Sequence, residues 1–413
     1  MSDFLTLKSV DEILAMIRHF DPLEAEYLPL PEGLGRVLAH DFTAPEDLPG
    51  FDRSTVDGFA VRAKDVFGAG ENQPAALELV GECPMGEIPA ISLGPGQTAG
   101  IWTGGMLPQG ADAVVMLEYS RRIGENLVEL ARPAAPLENV ITASEDAEKG
   151  EVLLPAGRTL RPQEIGLLAA FGQTEIAVRR KPRVAVISSG DEVVPAEVKP
   201  GLGQVRDINS YTLSALASAA GGQARRLGLA GDSQEQLKAL ILEALDWADV
   251  ILLSGGSSAG QRDFTIDVFR SLPGVEVLAH GVAISPGKPL ILAKSGPKSL
   301  WGLPGHAASA LVCAEVFIRP LLSRLLGRSD REAWRKGLRA VLSRPIASAQ
   351  GRRDYIRVRL DPPERAGEPL TATPVLGKSG LITTLVMAEA LIICPEDLEG
   401  FNAGQVVEVH LSL

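Results

Sequence analysis

The spacing of apolar and polar positions divides the 413-residue chain into segments of distinct texture. Val10, Ile13, Leu14 and Ile17 fall on one helical face, and Ser9 with Glu12 matches a capping box, so Ser9 to Phe20 is expected as a helix. From about residue 45 to 148, the short runs "ALELVG", "QTAGIW", "DAVVMLEY" and "NLVELA" are separated by Gly and Pro, which predicts a β-rich module. The stretch "PQEIGLLAAFG" then reads as a helix ended by Gly172. From about 180 to 327 strand and helix patterns alternate. "RVAVIS", "ARRLGLAG" and "DVILLSGG" read as strands, and "NSYTLSALASAAGG" as a helix with Asn209 as its cap and a Gly stop. "SQEQLKALILEALDWA" and "SALVCAEVFIRPLLSRLLG" read as further helices. Such alternation predicts a largely parallel sheet covered by helices on both faces. After Gly327 the texture is again β-like, in "YIRVRL", "LTATPVL", "ALIICP" and "VVEVHLSL". The first and last of these alternate with period two, as in a half-buried sheet or small barrel.

Composition narrows the class. A chain of this length holds roughly two to four domains. With 45% hydrophobic and 22% charged residues it is an ordinary globular protein. A net charge of −12 argues against a general nucleic-acid or membrane-surface binder. The first twenty residues carry charges throughout and lack an apolar signal core, and no uninterrupted apolar run reaches the ~18 residues of a membrane span. Cys83, Cys313 and Cys394 are far apart and form no C-x-x-C, so neither a disulfide framework nor a zinc knuckle is indicated. A reducing, cytoplasmic setting is expected. The five histidines are isolated and form no H-E-x-x-H.

Candidate chemistry lies at the strand ends, where open parallel sheets bind ligands. One such end is "ISSGDEVV" (Ile187–Val194) and the other "LLSGGSSAGQRDF" (Leu252–Phe264). In the second, Ser254, Gly255, Gly256 and Ser257 offer hydroxyls and closely approachable backbone N–H groups to an anion. Asp191, Glu192 and Asp263 add carboxylates, which beside a phosphate site point to Mg²⁺. The chain has neither a Walker loop nor G-x-G-x-x-G, so a plain glycine-rich turn is the competing reading. "ISPGKPLIL" carries Lys288 on a proline-stiffened loop, or as a solvated turn lysine. "GLPGHAASA" opens a helix, where His306 is as readily a capping or surface residue as a ligand. Asp57-Gly58 in "LPGFDRSTVDGFAV" is a tight-turn signal, ordinarily no more than that.

Taken together these segments resemble the MoeA family, the molybdopterin molybdenumtransferases that also form the E domain of gephyrin. The stretches "PGFDRSTVDGFAVR", "TGGMLPQGADAVVMLE", "SEDAEKG", "AVISSGDEVV", "DINSYTL", "SGGSSAGQRDFT", "PGKP", "GLPG", "GRRDYIRVRL" and "GKSGLITTL" occur in family order and span nearly the whole chain. The resemblance implies a multidomain α/β-plus-β subunit in an elongated homodimer. Its domain I (1–44 and 149–180) is interrupted by a β-rich domain II (45–148). A MogA-like α/β domain III (181–327) and a small β-barrel domain IV (328–413) follow. The implied site is a cleft between domains III and IV of one subunit and domain II of the other. The implied reaction turns adenylylated molybdopterin and molybdate into molybdenum cofactor and AMP, with Mg²⁺ required. MogA-type adenylyltransferase and molybdoenzymes are the implied partners.

Residue by residue, the resemblance implies that Asp57 and Thr103 come from the partner subunit's domain II. Asp146, Glu192, Asp232 and Asp263 match acidic family positions, with Asp146, Glu192 and Asp263 as the metal set. Lys288, Pro304, Arg352 and Ser379 match cleft positions, and Lys288, Arg352 and Ser379 would donate to molybdate or phosphate. A dianion calls for such donors. The chain departs from the family pattern where anions should bind. Ile141, Gly281 and Ser285 stand at three usually basic positions, and His306-Ala307 replaces Asn-Pro. His306, Arg262, Arg353 and Lys378 are the candidate replacements. Two function classes follow: a metal-inserting transferase with a retuned anion site, or a divergent paralogue that carries the pterin or scaffolds a partner without inserting metal. Tungstate and molybdate are not separable as substrates by sequence.

Overall fold

The computed structural model describes residues 7–231, 233–255, 264–328, 337–363, 365 and 367–411. Asp232, Gly256, Ser257, Arg262 and Asp263 lie outside the described residues. The chain forms two compact units. One comprises Asp41–Pro155 with Leu167–Gln173, the other Met1–His40, Ala156–Gly166 and Thr174–Leu413.

The smaller unit is built on a six-stranded sheet. Its order is Ala113–Met116, Gly58–Val61, Gln97–Ile101, Ala75–Glu82, Leu127–Leu130 and Ser120–Ile123. Successive side chains of a strand point to opposite faces, and here both faces are covered. Phe59 and Val61 join Leu77, Val115, Val128 and Leu130 on one side, while Ala60 packs with Ala99, Ile101, Val114 and Cys83 on the other. Phe171 packs against Phe42, with ring centroids 5.6 Å apart, in a cluster with Ala44 and Ala147.

The larger unit holds a second six-stranded sheet, in the order Gln223–Ala230, Arg183–Ser189, Val250–Ser254, Lys298–Leu303, Ile291–Ser295 and Val275–His280. The first four strands are mutually parallel, and Ile291–Ser295 is antiparallel to both of its neighbours. The sheet is thus largely parallel, as the alternation predicts. Val184, Val186 and Leu252 face Leu213, Leu216, Val312 and Phe317. Ala185, Ile187, Ile251 and Leu253 face Leu237, Ile241, Ile266 and Phe269. Each such leucine or isoleucine contributes about 1.5–3 kcal/mol on burial, which is why these strands are apolar along their whole length.

The helix Val10–Ile17 is closed by its capping box: Glu12 N donates to Ser9 Oγ and Ser9 N to Glu12 Oε2. It buries Val10, Ile13 and Ile17. The helical run from Ala307 to Leu325 contains a π turn at Ala314–Ile318, directly before Pro320, which has no N–H to give the ladder. Arg353–Asp361, Leu370–Pro374, Leu338–Leu342, Val406–Leu411 and Ala390–Cys394 close into a five-stranded barrel, the last strand pairing back on the first. Ala340, Leu342, Val358, Ala372, Ile392 and Val409 fill it. The short strand Ile284–Ser285 adds to Arg353–Asp354 at its edge. The expected cap of the helix Asn209–Ala219 is a correction. Asn209 is its first helical residue, and the capping bond comes from Asp207, whose Oδ1 accepts from Ser210 N.

Candidate functional site

The parallel strands of the larger unit end together. Ser188 and Ser189, Ser254 and Gly255, and Pro304, Gly305 and His306 follow from three neighbouring strands and line one cavity of about 640 Å³. Glu192, Arg206, Asp207, Asn209 and Gly380 complete its charged and polar wall.

Its floor is a polar network. Asn209 Nδ2 donates to Ser254 Oγ and to Gly305 O, both at 2.7 Å. Ser188 Oγ donates to Asp207 Oδ1 at 2.9 Å. Ser188, Ser189, Ser254 and Asn209 are all buried. Asn209 Oδ1 and Ser189 Oγ have no hydrogen-bond partner among the described residues. Gly255 is required here. Its φ is +103°, and a Cβ would lie 2.1 Å from Ser189 O. The carboxylate of Glu192 turns back over the adjoining loop, 2.8 Å from where a Cβ on Gly190 would sit, and has no hydrogen-bond partner among the described residues.

The barrel contributes the loop 377–384. Ser379 Oγ lies 3.1 Å from His306 Nδ1, and Ala308 N donates to Ser379 O at 3.0 Å. Arg357 holds both ends of this loop, donating through Nη1 to Thr384 Oγ1 at 2.7 Å and through Nη2 to Gly377 O at 3.1 Å. Partial burial pulls the Arg357 guanidinium below its ordinary value.

Of the expected binding residues, Ser254, Gly255 and Pro304 line the cavity and Ser379 reaches it through His306. Lys288 is exposed and is not among the lining residues, although Pro289 beside it is. Arg352 is ion-paired to Asp354 at 3.0 Å and is likewise not among them. Asp57 and Thr103 come together in the smaller unit. Asp57 Oδ1 accepts from Thr103 N at 2.8 Å and from Thr103 Oγ1 at 2.7 Å. Those two bonds, the backbone one first, hold the Asp57 carboxyl below the usual range. Asp146 is exposed in the same unit. Sequence does not single out Asp207 or Arg206, and it reads Asn209 only as a helix cap. They fall in or beside "DINSYTL", and it is the fold that brings them to the strand ends.

The positions that lost a basic residue have different surroundings. Ile141 pairs directly with Arg53 across two antiparallel strands, so their side chains share one face. Gly281 and Ser285 lie close along the chain to backbone contacts of Lys8 and Arg353, through Lys8 N to Gly281 O and Arg353 N to Ala283 O. Both cations are engaged elsewhere. Lys8 Nζ holds Glu12 at 2.8 Å, and Arg353 holds Asp11 at 2.9 Å and Glu396 at 3.0 Å. Those carboxylates, Asp11 first, raise Arg353 above its ordinary value. Arg353, a candidate replacement for the missing cations, is thus engaged by two carboxylates where it stands.

Among the described residues no group of three or more His, Cys, Asp or Glu side chains is placed to hold a metal. Glu192 is the free carboxylate on the cavity wall, since Asp207 already accepts from Ser188 and Ser210. One carboxylate suits Mg²⁺, which keeps waters and binds substrate phosphates rather than a full protein cage.

Three family models match in succession. They are the MoeA N-terminal region (domain I and II) over residues 8–172, a probable molybdopterin binding domain over 185–324, and the MoeA C-terminal region (domain IV) over 339–412. The chain is 34% identical over 408 residues to the molybdopterin molybdenumtransferase of Bacillus subtilis, covering 97% of this chain and 93% of that protein. It is 34% identical over 413 residues to molybdopterin molybdenumtransferase 2 of Mycobacterium tuberculosis, covering 98% and 99%. The crystal structure of the molybdopterin biosynthesis moea protein of Pyrococcus horikosii superposes with a TM-score of 0.84 at 37% identity, covering 98% of this chain and 99% of that one.

Proposed function

The chain belongs to the MoeA family, and from that premise we propose that it is a molybdopterin molybdenumtransferase of molybdenum cofactor biosynthesis that inserts molybdate into adenylylated molybdopterin and releases AMP. The observation that supports this best is the cavity at three parallel strand ends. Buried hydroxyls and a glycine approach a ligand there beside one free carboxylate. Ser188, fixed by Asp207, and Ser254, fixed by Asn209, orient the pterin-phosphate end, with Ser189 Oγ left open to it. Ser379 and His306 border the opposite wall, where the oxyanion is received. Glu192, with Asp263 from outside the described residues, would hold Mg²⁺, which when bound neutralises charge on the phosphoanhydride. Lys288 and Arg352 reach the substrate only by leaving their present surroundings, and for Arg352 that means releasing Asp354. In this reading the protein works as a homodimer. Asp57 and Thr103 are supplied by the partner subunit, and Asp146 adds to the acidic set. The cell compartment is the cytoplasm, the adenylylated substrate comes from a MogA-type enzyme, and the product passes to molybdoenzymes.

One observation favours a second reading, as a pterin carrier or scaffold. Among the described residues, Lys8 and Arg353, whose backbones contact the chain beside Gly281 and Ser285, are both committed to carboxylates. Arg53 opposite Ile141 supports the transferase instead. AMP release by the wild-type protein separates the two, since a carrier releases none, and Glu192→Gln tests the carboxylate within the first. A transferase loses AMP release while pterin binding stays near wild type. Unchanged AMP release in this variant would remove Glu192 from the reaction.

A further inference from the structure

His306 lines the cavity, and the proposed reaction gives its ring no proton-transfer or charge role. It is exposed and pairs with no carboxylate among the described residues. Its Nδ1 lies 3.1 Å from Ser379 Oγ. The contact is fixed from both sides, since Ala308 N binds Ser379 O and Arg357 pins Gly377 and Thr384 on either side of Ser379. We propose that His306 and Ser379 form a proton-gated donor pair for the tetrahedral oxyanion. The proposal rests on the transferase reading and supplies the residue that sets its anion affinity.

Counting protons gives the gate. A hydroxyl has one hydrogen to donate, and a neutral imidazole has one N–H and one acceptor nitrogen. When neutral His306 carries its proton on Nε2, Nδ1 accepts from Ser379 Oγ–H and the hydroxyl has nothing left for an anion. When His306 is imidazolium, both ring nitrogens donate. Nδ1–H then binds Ser379 Oγ, the Ser379 hydrogen is free to turn towards the cavity, and Nε2–H adds a second, charged donor. One proton taken up by His306 therefore frees one donor, the Ser379 hydroxyl, turns the existing Nε2–H into a charged donor and adds one positive charge at the cavity wall. The other charged groups around the pair are Glu192, Arg206 and Asp207 on the cavity wall, Lys378 beside Ser379, and Arg357 under the loop. Asp207 is occupied by Ser188 and Ser210, and Arg206 Nε by Ala196 O and Val198 O. Glu192 is the carboxylate of the wall with no hydrogen-bond partner among the described residues.

The test compares wild type, His306→Asn, His306→Gln and Ser379→Ala between about pH 6 and about pH 8, the interval in which imidazoles ordinarily change charge. Two readouts are taken: half-saturating molybdate for AMP release, and calorimetric binding of molybdate to protein without pterin. In wild type both weaken roughly tenfold or more across the interval, the size of losing one charged donor. The three variants bind more weakly at the acid end and lose the slope, and kcat at saturating molybdate changes far less than the half-saturation value. Wild-type slopes in a folded His306→Asn or His306→Gln protein overturn the proposal, as does a slope that persists in Ser379→Ala. If no variant or wild-type protein releases AMP, the transferase reading fails, while the calorimetric slope still decides the donor pair.

Discussion

Asn209→Ala tests whether the cavity floor is organised as described. Asn209 is 9% exposed and its Nδ2 serves two acceptors at 2.7 Å, Ser254 Oγ and Gly305 O. The substitution removes both bonds without disturbing the backbone of the helix, which alanine favours. An acceptor left buried and unpaired costs about 1–3 kcal/mol. Ser254 is 2% exposed and bears the full cost, whereas Gly305 is exposed and water replaces part of its bond. The sum is roughly 2–4 kcal/mol, which at a urea slope of about 2–3 kcal/mol/M lowers the midpoint by about 1 M. Asn209→Asp sets a carboxylate oxygen against the Gly305 carbonyl, while the Ser254 hydroxyl can turn to donate to it, so its cost falls mainly on the Gly305 side. Equilibrium urea unfolding followed by tryptophan fluorescence reads the shift. The substrate half-saturation value, measured well below the transition, is expected to rise as the strand ends lose their alignment. Wild-type midpoints for both variants would refute the network, and a normal midpoint for Asn209→Ala with normal turnover would remove Asn209 from the site.

Three further predictions follow from charge. Glu164 is buried and accepts from Arg158 Nη2 at 2.6 Å and Arg161 Nη2 at 2.7 Å, and these partners, Arg161 first, hold its carboxyl far below the usual range. A depressed folded value means that this stability is present above the unfolded value, near pH 4.5, and is lost as pH falls below it. Glu164→Gln should therefore destabilise the protein at neutral pH by about 1–3 kcal/mol and flatten the acid limb of stability against pH; a parallel acid limb contradicts the pairing. Asp57→Asn keeps an oxygen for Thr103 N and Oγ1 but removes the charge, so folding is unchanged while AMP release falls about a hundredfold or more, read by nucleotide chromatography. Arg53→Gln raises half-saturating molybdate about tenfold, and adding Ile141→Arg to it restores most of the loss, since the two positions face each other across the ladder; no rescue means that Arg53 does not replace the missing arginine.

The fold was legible where burial is two-sided or strictly alternating. Val250–Ser254 is buried at every residue, and such continuous apolar runs separated by helical periods leave few choices but a parallel sheet. The barrel strand Val406–Leu411 buries Val407 and Val409 alternately, which is the period-two signal. The site was legible only in part, because sequence gives residue types and not side-chain directions. "DINSYTL" reads with Asn209 as the helix cap, whereas the geometry gives the capping bond to Asp207 and sends Asn209 into the cavity floor. Arg352 and Arg353 are adjacent and chemically alike, yet one pairs with Asp354 two residues on and the other with Asp11, far away in sequence. The apposition of Arg53 and Ile141 depends on strand register, which no local pattern encodes.

The central claim is insertion chemistry, and its most direct measurement is AMP release from adenylylated molybdopterin by the purified full-length protein with Mg²⁺, with and without molybdate. The account predicts molybdate-stimulated release, with a product that activates a molybdenum-free molybdoenzyme. Tight pterin binding with no AMP release at any molybdate concentration would contradict it and leave the carrier reading in its place.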